Sequence, residues 1–160
     1  MSSATFRAVS YPLRLHAGVD ALDQLNAEVK RAGGTRAFVI CGRTVAEKTN
    51  LLDRISNQVG GRYAGAFTRM DKDSTWEAVR SATEAAKDAG ADLIIAVGGG
   101  SVIVGARVVA ILLGEDGDPF DLMTQYPEGK PAYSPRLNAP KPVSYTHLRA
   151  HETNVYLVFG

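Results

Sequence analysis

A chain of 160 residues, 45% hydrophobic and 22% charged, is long enough for one folded domain with a sizeable core. Its 18 Lys and Arg against 17 Asp and Glu give a formal net charge of +1, so nothing in the charge balance argues for nucleic acid or an anionic membrane as a partner. The single cysteine, Cys41, cannot form an internal disulfide, and its place in an apolar run reads as a buried structural thiol.

The opening residues Met1–Arg7 hold no apolar core of signal-peptide length. Phe6 to Leu15 alternates apolar residues around Pro12, as an edge strand or a bent pair does, and Gly18 marks a turn. Asp20 is placed to cap a helix that carries Leu22, Leu25 and Val29 on one face and stops at Gly33-Gly34. Arg36–Cys41 reads as a buried strand, followed by the loop Gly42-Arg43-Thr44. A helix from about Val45 to Gln58 follows, its stripe being Leu51, Leu52, Ile55 and Val59, and Gly60-Gly61 ends it. Tyr63–Thr68 is a third strand, Asp71–Thr75 a loop with capping chemistry, and Trp76–Ala89 a helix closed by Gly90.

The most informative stretch runs from Leu93 to Leu113. Leu93–Val97 is apolar on both faces, as a buried parallel strand is. Gly98-Gly99-Gly100-Ser101 then turns the chain, and Val102–Leu113 has the length and apolar content of a helix buried on most sides. Each glycine in such a turn costs about 0.5–1 kcal/mol if held in regular structure, a cost more easily understood where a ligand must approach the backbone. Ser101 is placed to cap the helix, whose positive end would favour a phosphate. The plain alternative is a tight turn with no ligand. The spacing is neither the Rossmann G-x-G-x-x-G nor a Walker loop.

Strand–helix alternation with short connections implies right-handed βαβ units, hence an α/β fold with a parallel sheet and helices on both faces. Ligands of such sheets bind beyond the carboxyl ends of the strands, where the loops at Gly42 and Gly98 should converge on one crevice. Past Gly114 the periodicity fades. Pro119 to Pro142 holds six prolines and reads as a long surface excursion. The Val102–Leu113 run is too short to span a bilayer and is interrupted by Gly105 and Arg107, so a cytoplasmic location is the default.

Ala91-Asp92-Leu93-Ile94-Ile95-Ala96-Val97-Gly98-Gly99-Gly100-Ser101-Val102-Ile103 resembles the segment "aDliiavGGGSviDaAK" of the iron-containing (group III, metal-dependent) alcohol dehydrogenases. Met70–Val79 is similar to that family's "V-x-x-N-P-T-x-x-x-V", and His16-Ala17-Gly18 through Leu22 to its opening "f-G-x-g-a-l". The resemblance implies a Rossmann-like domain over residues 1–143, the N-terminal half of a dehydroquinate synthase-like fold whose C-terminal helical domain is absent. It implies NAD or NADP as cofactor, with Gly98, Gly99, Gly100 and Ser101 at the pyrophosphate. It further implies a small-molecule alcohol or aldehyde as substrate, and a divalent metal, iron or zinc, bound only by the missing domain. This chain would then hold no metal ligand or catalytic residue and would be inactive alone. The oligomeric state is left open, with a homo-oligomer one outcome.

The chain departs from the family pattern at several positions. Val104 replaces an Asp, Arg107 a Lys, and Asp73-Ser74 an Asn-Pro. The strand-end Asp of many members is Gly42 here, followed by Arg43. A carboxylate there would repel a 2′-phosphate and an arginine would accept one, so Gly42 and Arg43 are read as cofactor-binding residues that favour NADP, with a merely solvated Arg43 as the alternative. Loss of the Asp at Val104 leaves room for a second class of function, a non-catalytic nucleotide- or phosphate-binding module. Ser144–Thr153 looks like a translated sequencing adapter, so residues 144–160 are expected to be a non-native or disordered tail. His147 and His151 would share a helix face beside Glu152, but the order does not match H-E-x-x-H, and a functional metal site is not expected there. The face left for the missing domain should expose an apolar patch around the crevice.

Overall fold

The computed structural model describes residues 14–135, 143–147 and 155–159. In chain order the elements are β1 (Arg14–Gly18), α1 (Leu25–Arg31), β2 (Ala37–Cys41), α2 (Arg43–Lys48), α3 (Leu51–Val59), β3 (Tyr63–Phe67), α4 (Trp76–Asp88), β4 (Leu93–Gly98), α5 (Gly100–Gly114), β5 (Val143–His147) and β6 (Val155–Phe159). One six-stranded sheet has the order β1-β6-β5-β4-β2-β3. β3, β2, β4 and β5 are parallel, as the alternation of elements requires, while β6 lies antiparallel between β5 and β1.

The two apolar runs form the middle of the sheet because neither has a face that tolerates water. Ala37, Val39 and Cys41 of β2 and Leu93, Ile95 and Val97 of β4 pack with Leu25, Val29, Leu51, Ile55 and Val59 on one side. Phe38 and Ile40 of β2 and Ile94 and Ala96 of β4 pack with α4 and α5 on the other, against Ala82, Ala86, Ala106 and Val109. This is the expected sandwich of helix, sheet and helix. Cys41 is fully buried, and burial pushes its thiol up to about 11, an inert structural thiol as read from the sequence.

Several boundaries differ from the sequence reading. The first described strand is Arg14–Gly18, with Gly18 its last residue; residues 6–13 lie outside the described residues. Asp20 makes no side-chain cap, and the chain enters α1 through a 3-10 turn at Ala21–Gln24. The helix expected from Val45 to Gln58 starts earlier, at Arg43, and breaks at Thr49-Asn50. There the Thr49 hydroxyl donates to the Val45 carbonyl (2.6 Å) and accepts the Leu51 N–H (3.3 Å), a local competition that Thr offers a helix backbone. α5 is buried on most sides, as read from the sequence: Val102, Gly105, Ala106, Val109 and Ala110 are buried, and within Val102–Leu113 only Val104, at 54%, and Arg107 are exposed. Part of the expected tail forms strands β5 and β6. Such pairing uses backbone groups that every residue carries, so it is indifferent to where those residues come from.

Two polar devices fix the frame. At the amino end of the sheet the Asp92 carboxylate accepts the N–H groups of Thr35 (3.0 Å) and Arg36 (2.8 Å) and the Thr35 hydroxyl, and the Arg36 carbonyl accepts the Asp92 N–H (3.0 Å). This clasp holds the start of β2 beside the start of β4. On α1 the Glu28 side chain, 3% exposed, receives Arg14 Nε (2.7 Å), His16 Nε2 (3.0 Å) and Arg31 Nε (2.6 Å), tying β1 to the helix. Burial alone would raise the Glu28 pKa, but the hydrogen bonds from Arg31, Arg14 and His16 outweigh it and lower it from 4.5 to about 2.

A carboxyl depressed in the folded state contributes stability above its unfolded pKa and loses it as pH falls through the folded one. The drop from 4.5 to about 2 corresponds to about 3 kcal/mol. Urea unfolding followed by circular dichroism should show this contribution intact at pH 7 and draining away between pH 4.5 and about 2. Glu28→Gln should lower stability at pH 7 by a similar amount and abolish that part of the pH dependence. Asp92→Ala should cost about 1–2 kcal/mol in the same assay, since it removes the charged acceptor of the Thr35 and Arg36 donors while leaving them open to water.

Candidate functional site

The sheet order reverses between β2 and β4: from β2 the chain moves outward to β3, and from β4 it moves the other way to β5. Cys41 pairs with Val97, so Gly42 leaves β2 beside Gly98, about 5 Å away across one strand spacing. The two loops singled out in the sequence therefore flank the crevice at the switch point, where doubly wound sheets take their ligands.

The three glycines do different work. Gly98, the buried last residue of β4, has φ +152, and a Cβ there would lie 2.8 Å from Val102 Cγ2, so the fold itself demands glycine. Gly99 (φ −83, ψ −168) is extended and Gly100 opens α5. Both are exposed, and a Cβ at either would meet nothing within 4 Å. Neither backbone shape nor packing requires glycine at these two positions, and the space over them is open. Ile103 is the first residue whose N–H joins the helix ladder, bonding to the Gly99 carbonyl (3.2 Å). The N–H groups of Gly100, Ser101 and Val102 precede that ladder and point out of the positive end of α5, whose first turn holds no acidic residue. These groups can hold a pyrophosphate.

Ser101 does not cap α5, contrary to the sequence reading. Gly99 is the N-cap, and Ser101 sits two residues inside the helix, too far along for its hydroxyl to serve the first turn. That hydroxyl accepts the Asp73 N–H (3.1 Å), while the Ser74 hydroxyl donates to the Ser101 carbonyl. Asp73 (φ +68) and Ser74 (φ +51) are both left-handed, a strain of about 1–3 kcal/mol each that these contacts hold in place. Proline is fixed near φ −65°, so the chain's path at Ser74 is one that the Asn-Pro of the resembled family could not follow.

Met70 links the two loops, a role no sequence signal indicated. Its N–H donates to the Cys41 carbonyl (3.1 Å) at the end of β2. Its side chain lies against Gly105 of α5, where an added Cβ would fall 2.6 Å from its sulfur. Gly42 is extended (φ −91, ψ 166), and a Cβ there would only touch the Met70 carbonyl at 3.4 Å. Neither the backbone conformation nor the packing excludes a Cβ at Gly42. Arg43, the first residue of α2, lines a cleft of about 340 Å³ with Phe67, Arg69, Asp71, Glu77 and Ala78.

A larger cleft of about 690 Å³ lies where α4 and α5 meet the 119–135 excursion, and its lining, which includes Trp76, Val108, Ile111, Met123 and Tyr126, holds no charged residue. The exposed apolar side chains gather chiefly on this side, at Trp76, Phe120, Met123, Tyr126 and Tyr133, rather than around the glycine loop; Val104 is the exposed one beside that loop. Among the described residues no three His, Cys, Asp or Glu side chains lie together as a metal site, and no helix is long and apolar enough to cross a membrane. His147 lies in strand β5, so the helical spacing considered for it is not realised there; His151 and Glu152 lie outside the described residues.

Comparison with known proteins agrees with this architecture. A family described as iron-containing alcohol dehydrogenase matches residues 12–143. The chain is 36% identical over 106 residues to maleylacetate reductase 2 of Cupriavidus pinatubonensis, covering 66% of this chain and 29% of that protein. It is 32% identical over 117 residues to long-chain-alcohol dehydrogenase 1 of Geobacillus thermodenitrificans, covering 72% of this chain and 29% of that protein. The crystal structure of NADH-dependent butanol dehydrogenase A from Thermotoga maritima shares the fold, with a TM-score of 0.62 at 21% identity over 76% of this chain and 29% of that one. The chain thus spans less than a third of the length of these relatives. With the glycine loop at the switch point and the match running through nearly all of the described fold, this chain belongs to the iron-containing alcohol dehydrogenase family.

Proposed function

We propose that this chain is the dinucleotide-binding part of a metal-dependent alcohol dehydrogenase or aldehyde reductase. The observation that carries the reading is the open space over Gly99 and Gly100 at the positive end of α5, where neither backbone shape nor packing calls for glycine. The N–H groups of Gly100, Ser101 and Val102 would hold the pyrophosphate of NAD or NADP, and Gly98 would keep the turn tight enough to present them. When held there, the dinucleotide would supply the hydride chemistry. Asp73 and Ser74 keep the first turn of α5 in place. A divalent metal, iron or zinc, would polarise the substrate oxygen, and in this reading its ligands lie outside the present chain, which alone is inactive. The substrate is a small alcohol or aldehyde, and the enzyme is cytoplasmic.

Gly42 and Arg43 point the cofactor preference toward NADP. A strand-end carboxylate would hold a free ribose hydroxyl and repel a phosphate, and here that place is bare although a Cβ there would meet only the Met70 carbonyl. The other reading, a nucleotide-binding module without chemistry, is favoured by one observation. Val104, where the resembled family carries an Asp, is exposed within the second turn of α5 and brings no polar group to the loop.

The reading also takes residues 144–160 as foreign to the natural protein. The family match stops at residue 143, and Ser144–Thr153 resembles an adapter. Sequencing the source DNA beyond the Val143 codon should show the frame continuing into a different segment; confirmation of Ser144 onward would overturn this point.

Two glycine variants separate fold from binding. Gly98→Ala should cost about 1–3 kcal/mol in urea unfolding, from its positive φ and the collision with Val102. Gly99→Ala should leave stability within about 0.5 kcal/mol yet weaken dinucleotide binding about tenfold or more by calorimetry, because its methyl enters the space over the N–H groups where the pyrophosphate would lie. Unchanged binding in Gly99→Ala would defeat the dinucleotide reading.

A further inference from the structure

We propose that Arg69 is a second specificity-determining residue, which with Arg43 forms a clamp for the 2′-phosphate of NADP. The inference rests on the dinucleotide reading above and extends it to a residue that no sequence pattern marks. Arg43 begins α2 directly after β2, whereas Arg69 follows β3, 26 positions later in the chain. β2 and β3 are parallel neighbours that pair from Ala37–Tyr63 to Ile40–Phe67, so both arginines leave the sheet at the same end and line the same cleft of about 340 Å³. That cleft lies on the β3 side of the switch point, one strand away from the glycine loop. Its volume exceeds what a phosphate alone needs and admits a ribose with it.

The electrostatics give the pair a purpose. Both arginines are exposed, and among the described residues neither side chain has an ion-pair or hydrogen-bond partner. This contrasts with Arg14 and Arg31, which are both committed to Glu28. Two unsatisfied guanidiniums facing one cleft match a doubly charged phosphate monoester, which each can grip with paired N–H donors. Asp71 and Glu77 line the same cleft and oppose an anion. Glu77 sits in the first turn of α4, where the helix dipole offsets part of its charge, and the neutral Ser81 hydroxyl stands one turn further on. The cleft is therefore selective rather than generally anion-binding: a ligand must reach both guanidiniums while keeping clear of the two carboxylates.

The test is calorimetric titration of the purified chain with NADP+ and, separately, NAD+, at two salt concentrations. Arg69→Ala should weaken NADP+ about tenfold and leave NAD+ within about twofold, with an unchanged melting temperature because the side chain holds nothing in the fold. Arg69→Lys, which keeps the charge but not the paired donors, should recover part of the loss. Raising the salt should weaken NADP+ more in the parent chain than in Arg69→Ala. Glu77→Gln should tighten NADP+. Equal loss of both dinucleotides in Arg69→Ala, or no loss of either, would overturn the clamp while leaving the glycine-loop reading in place, provided Gly99→Ala still weakens binding. A parent chain that binds neither dinucleotide at millimolar concentration would overturn both.

Discussion

The pairing of β2 with β4 is the constraint on which the rest depends. Two apolar five-residue runs, each buried on both faces, have no stable place except the middle of a covered sheet, and there they lie side by side in parallel register from Ala37–Leu93 to Cys41–Val97. Once they do, the next residue of each strand is a glycine, and the two loops open into one crevice. Asp92 holds the other end of the same pair, so the register is clasped at the amino end and used at the carboxyl end.

The segment from Met70 to Thr75 turns this adjacency into a site. It reaches from β3 across the end of β2 to the start of α5, with Met70 against Gly105 and the Asp73-Ser74 turn on Ser101. Its two left-handed residues are costly, and the hydrogen bonds to Ser101 account for how that conformation persists. The side chain most expected to cap the helix is thereby diverted to hold a neighbouring loop, and the cap position is left to a glycine with no side chain to crowd the space above it. A helix end bare of capping side chain and of carboxylate is suited to receiving an anion.

Charge is distributed in two different ways in this molecule. Around Glu28 a buried carboxylate is enclosed by donors, which consolidates β1 against α1 and contributes nothing at the crevice. Around Arg43 and Arg69 the guanidiniums are exposed and uncommitted, at the end of the sheet where ligands bind. The first arrangement is spent within the fold; the second leaves interaction energy available to something from outside.

Short-range periodicity and composition determined a good deal. The alternation of strands and helices from β2 to α5, the apolar runs of β2 and β4, the stripe of Leu51, Ile55 and Val59, the buried Cys41 and the glycine loop after β4 all follow from which side chains recur at which spacing, and these local patterns are legible residue by residue. The family resemblance carried by Ala91–Ile103 was equally local. What the sequence could not decide is which distant segments meet. That Ser101 would serve the Asp73-Ser74 turn and not its own helix, that Met70 would bridge two loops, that Arg14 and His16 would share Glu28, that Arg69 would join Arg43, and that β6 would enter between β1 and β5 were all settled by the tertiary fold. The reason is physical. Backbone donors and acceptors are alike at every residue, and a side chain's hydrogen bond or charge takes whichever partner packing brings within about 3 Å; only the assembled sheet decides which partner that is.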